Sequence, residues 1–221
     1  MRKFTLLLIS MAVLTMSIQT NAFASGGVGV GVKAGTLGFG VDVTYPVNPF
    51  LTVGLGINNY SYKTNQTASG IKYSSKLNLQ TLGLMANIHP FSGSFHVTAG
   101  LMQNNNKLTL TADPSSTYTI GNTTYTASDV GNLDGEVDFK KLAPYVGIGW
   151  GSSPGRGIGF TFDMGVLMQG KPNVTLTSTG GALSADPTFQ ANLKQEEANA
   201  QNDIKGFTNY YVMSFGVDFR I

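Results

Sequence analysis

The last eleven residues of the chain alternate strictly. Tyr211, Met213, Phe215, Val217, Phe219 and Ile221 take the odd positions, with Val212, Ser214, Gly216, Asp218 and Arg220 between them. A period of two is the signature of a β-strand, and here one face is apolar while the other is small or charged. The pattern recurs along the chain. Leu37 to Tyr45 alternates with Gly38, Gly40, Asp42 and Thr44, and Ile158 to Val166 with Gly159, Thr161, Asp163 and Gly165. Val28 to Ala34 encloses Gly29, Gly31 and Lys33, Leu51 to Ile57 repeats the motif, and Phe95, Val97, Ala99 and Leu101 begin another segment. Two further segments change parity: Leu77 and Leu79 before Leu82 to Ile88, and Val137 and Phe139 before Val146 to Trp150. Such changes predict β-bulges.

Short strands with an apolar face need something apolar to bury it. A soluble barrel turns that face inward, whereas a transmembrane barrel turns it to lipid and lines its lumen with the small and polar residues. Composition favours the second arrangement. Only 12% of residues are charged, about half the usual share of a soluble domain, and the chain has 28 Gly and no Cys. Disulfide staples and thiolate metal sites are therefore excluded. Closure of a barrel in lipid, which pairs every backbone group, supplies stability instead.

The N-terminus predicts export. Arg2 and Lys3 precede an apolar stretch from Phe4 to Ile18, and Asn21-Ala22-Phe23-Ala24 has small residues at the two positions that a signal peptidase reads. The expectation is a signal peptide at residues 1–24, cleavage between Ala24 and Ser25, and a barrel domain at 25–221. No Cys follows the site, which excludes a lipoprotein anchor. The leader holds two of the 14 basic residues and none of the 12 acids, leaving twelve of each sign. A neutral chain argues against a nucleic-acid partner.

Connections alternate in length. Pro46 to Pro49, His89 to Ser94 and Gly151 to Gly157 read as short periplasmic turns. Thr64 to Lys72, Asp113 to Asp129 and Ser178 to Lys205 read as long extracellular loops. With a tight outer turn at Gly35-Thr36 the count is eight strands. With one bent strand from Val28 to Tyr45 it is seven, against the even-number rule, so eight is expected. In the last loop Asp186 fits an N-cap and Pro187 the first helical position. Phe189, Leu193, Ala200 and Ile204 fit one apolar stripe, which predicts a helix of roughly three to four turns. The fold class is thus an all-β, antiparallel transmembrane barrel with a helix in its last outer loop.

Several stretches resemble a widespread group of proteobacterial outer-membrane barrels: Val32 to Gly40, His89-Pro90-Phe91, Leu142 to Gly151 and Asp186 to Gln190. More distantly, Asn48-Pro49, Ala143-Pro144-Tyr145-x-Gly147-x-Gly149 and Gly170-x-Pro172-Asn173-Val174 resemble the carbapenem-associated outer-membrane protein (CarO) family. The first resemblance implies a fold and a location in the outer membrane of a Gram-negative bacterium. The second implies uptake of small basic amino acids such as ornithine, with no ligand motif to transfer. Both imply as partners the lipid and lipopolysaccharide of that membrane. The secretion translocon and barrel-assembly machinery would act during biogenesis, and the product would be a monomer.

Candidate functional residues follow from parity. Lys33, Asp42, Asp163, Asp218 and Arg220 are expected in the lumen, while Lys76, Lys140 and Lys141 are left open by the parity changes. The two histidines, His89 and His96, flank a periplasmic turn and have no carboxylate or Cys at ligand spacing, so no metal, cofactor or catalytic site is expected. Two functions fit: a narrow or gated channel for small solutes, or a structural or surface-interaction barrel without transport. The face assignment is testable. Val217→Arg places a charge against lipid, at a cost of about 2–4 kcal/mol near mid-bilayer, and should lower folding stability in a denaturant titration far more than Ser214→Arg. Equal losses would reverse the two faces.

Overall fold

The computed structural model describes residues 27–68, 71–113, 117–151 and 157–220. The expected signal peptide with Ala24 and Ser25 lies outside these residues. The described chain forms β1 (Gly29–Gly35), β2 (Gly38–Asn48), β3 (Leu51–Ala68), β4 (Ile71–Ile88), β5 (Phe95–Asn104), β6 (Lys107–Ala112), β7 (Tyr118–Ile120), β8 (Thr123–Tyr125), α1 (Ala127–Val130), β9 (Gly131–Asp138), β10 (Leu142–Trp150), β11 (Gly157–Leu167), β12 (Asn173–Gly180), α2 (Pro187–Ile204) and β13 (Tyr210–Arg220).

Eight of these strands close an antiparallel ring in the order β1-β2-β3-β4-β5-β10-β11-β13, and β13 pairs back onto β1 from Gly29 opposite Arg220 to Gly35 opposite Ser214. The eight-stranded barrel therefore stands. The first outer turn is Thr36-Leu37, one residue later than expected, because Gly35 pairs with Gly38. Gly38 leaves the turn at φ +92°, where a side chain is strained. Val32, Phe39, Leu55, Leu84, Ile158 and Phe160 point outward and are exposed, Ile158 at 73% and Phe160 at 60%. A large apolar belt bare to solvent is the mark of a lipid-facing surface. Phe91, Phe95 and Trp150 stack in sequence at its lower rim, with ring centroids 6.2 and 5.3 Å apart.

The long outer segments are not loops. β3 and β4 run on together to Ala68 and Ile71, so the expected loop Thr64 to Lys72 is mostly a ladder. Above the ring β4 exchanges β5 for β6, and β9 and β12 follow, extending the sheet beyond the barrel. The Asp113 to Asp129 segment holds the β7–β8 hairpin and α1, and β9 and β10 are separate strands rather than one bulged strand.

This wall explains the parity changes. The β3–β4 pairing runs without a register shift from Leu51 to Ala68, so no bulge stands at Leu79. The environment changes instead. Below Thr81 the inward face of β4 is Gly83, Met85 and Asn87. Above it the same face carries Tyr73 and the buried Leu79, while Lys76 on the other face is exposed. Once the strand leaves lipid for water, the soluble rule applies and the apolar residues turn inward. Tyr73 packs against a core of Ala112, Tyr118, Ile120, Tyr125, Val130, Phe189 and Leu193. The one register irregularity in the β2–β3 ladder lies between Pro46 and Asn48, where Pro has no N–H to give.

The helix begins where the sequence places it. Asp186 caps it by accepting from the Phe189 N–H at 2.8 Å, and Pro187 opens the first turn. It spans 18 residues, about five turns, longer than expected because its polar half has a task. β12 is the edge of the wall, and an open edge leaves backbone groups without partners. Glu197 Oε2 accepts from the Leu176 N–H at 2.9 Å and Gln201 Oε1 from the Val174 N–H at 3.0 Å. Four residues along a helix advance about as far as two along a strand, so two side chains replace a missing strand. In α1, Thr126 and Asp129 form a capping box, and hydrogen bonds from the Thr126 side chain and backbone hold the Asp129 carboxyl below the usual carboxylate range. The edge cover predicts that Glu197→Ala combined with Gln201→Ala leaves two donors unpartnered, at about 1–3 kcal/mol each. Hydrogen exchange should quicken at Val174 and Leu176 while the ring strands stay protected. Unchanged exchange there would refute the role.

Candidate functional site

The candidate site is the lumen, and its geometry follows from register. Inward residues of neighbouring strands fall in rows, and glycines alternate with large side chains across each row. On β5, β10 and β11 the row is His96, Gly149, Asp163, with both His96 and Asp163 opposite Gly149. Their side chains meet over the glycine, Nε2 to Oδ1, at 2.8 Å. A Cβ at Gly149 would overlap both atoms. On β13, β1 and β2 the row is Asp218, Gly31, Asp42, so two acids flank one glycine. Lys33 lies between Gly216 and Gly40 in the next row and reaches Asp42 at 3.1 Å. Arg220 leans over Gly29 and donates to Thr44 Oγ1 at 3.4 Å.

Lys33, Asp42, Asp163, Asp218 and Arg220 share one face of their strands with these glycines. Arg220 is buried to 1% exposure and Asp218 is also buried. They form no ion pair with each other within 4 Å, and among the described residues Asp218 Oδ1, Arg220 Nε and Arg220 Nη1 have no hydrogen-bond partner. Lys140 and Lys141, whose direction was open, are exposed.

The histidines are a correction. His96 does have a carboxylate partner, and both rings are buried in the lower lumen, 5.4 Å apart. His89 Nδ1 lies 2.9 Å from the Gly93 carbonyl, so this nitrogen donates, and Nε2 is left to accept from the Thr52 hydroxyl at 3.3 Å. The alternation Phe95, Val97, Ala99 already assigns His96 to the inward face. Its partner lies 67 residues away and becomes visible only once β10 is known to stand between the two strands.

Higher up, the lumen changes character. Leu37, Met102, Ala143, Tyr145, Leu167 and Val212 form a buried apolar cluster, with Met85 and Tyr210 packed against it. Burial of the Leu37 side chain depends on its turn. Tyr210 Oη donates to the Thr36 carbonyl at 2.5 Å, the Thr36 N–H donates to the Met213 carbonyl at 2.9 Å, and the Met213 N–H donates to Thr36 Oγ1 at 3.1 Å. Beneath this plug lies a cavity of about 80 Å³. Lys33, Asp42, Asn58, Asn87, Thr98 and Asp163 contribute its polar lining. The site is a polar, charged chamber under an apolar lid.

No protein-family model matches the chain, and no curated protein matches it. Solved structures do. The chain superposes on CarO2 of Acinetobacter baumannii with a TM-score of 0.58 at 24% identity, covering 90% of this chain and 100% of that one. It superposes on CarO of the same organism with a TM-score of 0.56 at 23% identity, covering 88% and 98%. The likeness is one of fold. It extends over nearly the whole of both proteins, so the barrel and its outer wall have a counterpart of the same extent.

The rows make a prediction about space. Gly149→Ala should push His96 and Asp163 apart and destabilise the barrel by about 1–3 kcal/mol, the usual cost of overpacking. Gly206→Ala, where the added methyl meets nothing within 4 Å, should be near neutral. Equal effects in a denaturant titration would show that the glycine makes no room for the pair.

Proposed function

We propose that this chain is an integral barrel of a Gram-negative outer membrane whose lumen is a narrow, gated passage for small solutes, basic amino acids among them. The observation that carries the reading is the chamber beneath the plug. A barrel closed only for strength would be filled by paired charges or by apolar side chains throughout. Here two acids, Asp42 and Asp163, line the chamber with one lysine, Lys33, and His96 beside Asp163. Surplus acid in a confined polar space favours a cationic guest. Separation from the outside rests on side chains alone, and Met85 and Met102 among them are unbranched and readily repacked. The backbone of the ring need not open.

The test is uptake into liposomes of lysine or ornithine against glutamate. Met85→Ala with Met102→Ala should thin the plug and raise cation entry several-fold over the parent, and adding Asp163→Asn should lower the preference for cations while the barrel stays folded. A thinned barrel that passes neither class would overturn the reading. It would favour instead a surface-interaction barrel, which the separately packed core beneath α2 supports.

A further inference from the structure

Above the apolar belt, the outward face of β3 and β4 turns polar in steps. Ile57 opposite Leu82 is the last apolar pair; Asn59 opposite Gln80, Ser61 opposite Asn78 and Lys63 opposite Lys76 follow. Like charges directly opposed on a sheet repel, and among the described residues neither lysine has a carboxylate within 4 Å. Lys107 stands opposite Asn78 on β6, diagonal to Lys76, so three lysines cross three adjacent strands. The acids of β9 bound this patch on one side. Lys107 faces Asp138 in the ladder and pairs with Glu136 at 2.8 Å, contacts that hold its ammonium above the usual range.

Where β4 exchanges β5 for β6, an open recess of about 400 Å³ is lined by Asn59, Asn78, Gln80, Asn105, Lys107 and Lys141 together with one apolar residue, Leu79. Lys141 is exposed and adjoins Leu142, a belt residue 62% exposed. Gln80 and Asn78 lie two and four residues beyond Leu82. At about 3.4 Å per residue and about 40° of tilt, that is roughly 5 to 10 Å above the apolar edge, the depth of a bilayer's headgroup layer. Amides suited to hydroxyls, lysines suited to phosphate and an apolar belt directly below occur together in this one place.

We propose that this recess binds the phosphorylated sugar headgroup of an outer-leaflet glycolipid, with Lys141 and Lys107 at its lower phosphate and Lys63 with Lys76 at its upper one. The amides of Asn59, Asn78, Gln80 and Asn105 meet the sugar hydroxyls, and the acyl chains descend over Leu82, Leu84 and Leu142. A bound phosphate relieves the repulsion between Lys63 and Lys76. The inference rests on the outer-membrane placement proposed above.

The test is native mass spectrometry of the folded, full chain in detergent, offered diphosphoryl lipid A, its dephosphorylated form or phosphatidylcholine. One diphosphoryl lipid A per barrel should be retained at least tenfold better than the other two. Lys76→Gln with Lys141→Gln should remove at least tenfold of that retention, while Lys194→Gln with Lys205→Gln on and beside α2 should leave it unchanged. Equal retention of both lipid A forms, or equal loss in the α2 control, would overturn the site. Displacement by millimolar inorganic phosphate would overturn the lipid in favour of a soluble anion. Faster gel mobility of unboiled samples identifies a folded barrel, so a folded chain without phosphate preference refutes this site alone. A chain that never folds into vesicles refutes the membrane placement beneath it.

Discussion

The ladder between β1 and β13 governs the rest of the molecule. In lipid no water can satisfy an unpaired backbone group, so the first and last strands must join, and a slip of one residue between them would turn the apolar side chains inward. With Val32 set opposite Val217, the lumen rows are fixed without further choice. Gly31 falls between Asp42 and Asp218, and Gly29 between Thr44 and Arg220. The glycines on the inward face are therefore neither hinges nor weak points. Each is a place where a neighbour's long side chain lies across the backbone, which is how eight strands can hold this many polar side chains in so narrow a tube.

A single strand crosses from one solvent rule to another. β4 keeps the same alternation from Ile71 to Ile88, yet its inward face is Gly83, Met85 and Asn87 within the ring and Tyr73 and Leu79 above it. Leaving the membrane inverts the chemistry while the geometry stays constant. The same transition creates a problem of edges. The ring has none, whereas the wall ends at β12, and there the helix covers the backbone with Glu197 and Gln201. The polar run Gln195 to Asn202, which fits no apolar stripe, is explained by this contact and by solvent on its other side.

Legibility in the sequence followed the same division. The ring strands, their faces, the turns at Pro46 to Pro49 and His89 to Ser94 and the start of α2 at Asp186 were readable because lipid imposes one pattern on every segment it touches, while the expected turn Gly151 to Gly157 lies largely outside the described residues. The wall was not, since Leu77 and Leu79 follow a water rule inside a chain otherwise read by the lipid rule, and the inversion looks like a bulge when only parity is seen. Tyr118 to Ile120 and Thr123 to Tyr125 are too short to carry a period at all. Parity alone groups Lys33, Asp42, Asp163, Asp218 and Arg220 with the glycines of one strand face. It could not assign partners. His96 meets Asp163 because β10 lies between their strands with a glycine at the crossing, and that is a fact of strand order rather than of local sequence.

Plug and chamber together constrain how anything could pass. The Leu37 turn is tied to β13 by Thr36 and Tyr210, so moving the backbone there would break several hydrogen bonds in a place where few replacements exist. Repacking Met85 and Met102 breaks none. The charges beneath are held differently: Lys33 and His96 each engage one acid, while Asp218 Oδ1 and two nitrogens of Arg220 are buried without partners among the described residues. A buried charge left unpaired is costly, yet neither residue lines the cavity, whose charged lining is Lys33, Asp42 and Asp163. The acids that do line it, Asp42 and Asp163, each already engage one base, Lys33 and His96, so anything entering the chamber competes with those two partners rather than with the buried pair below.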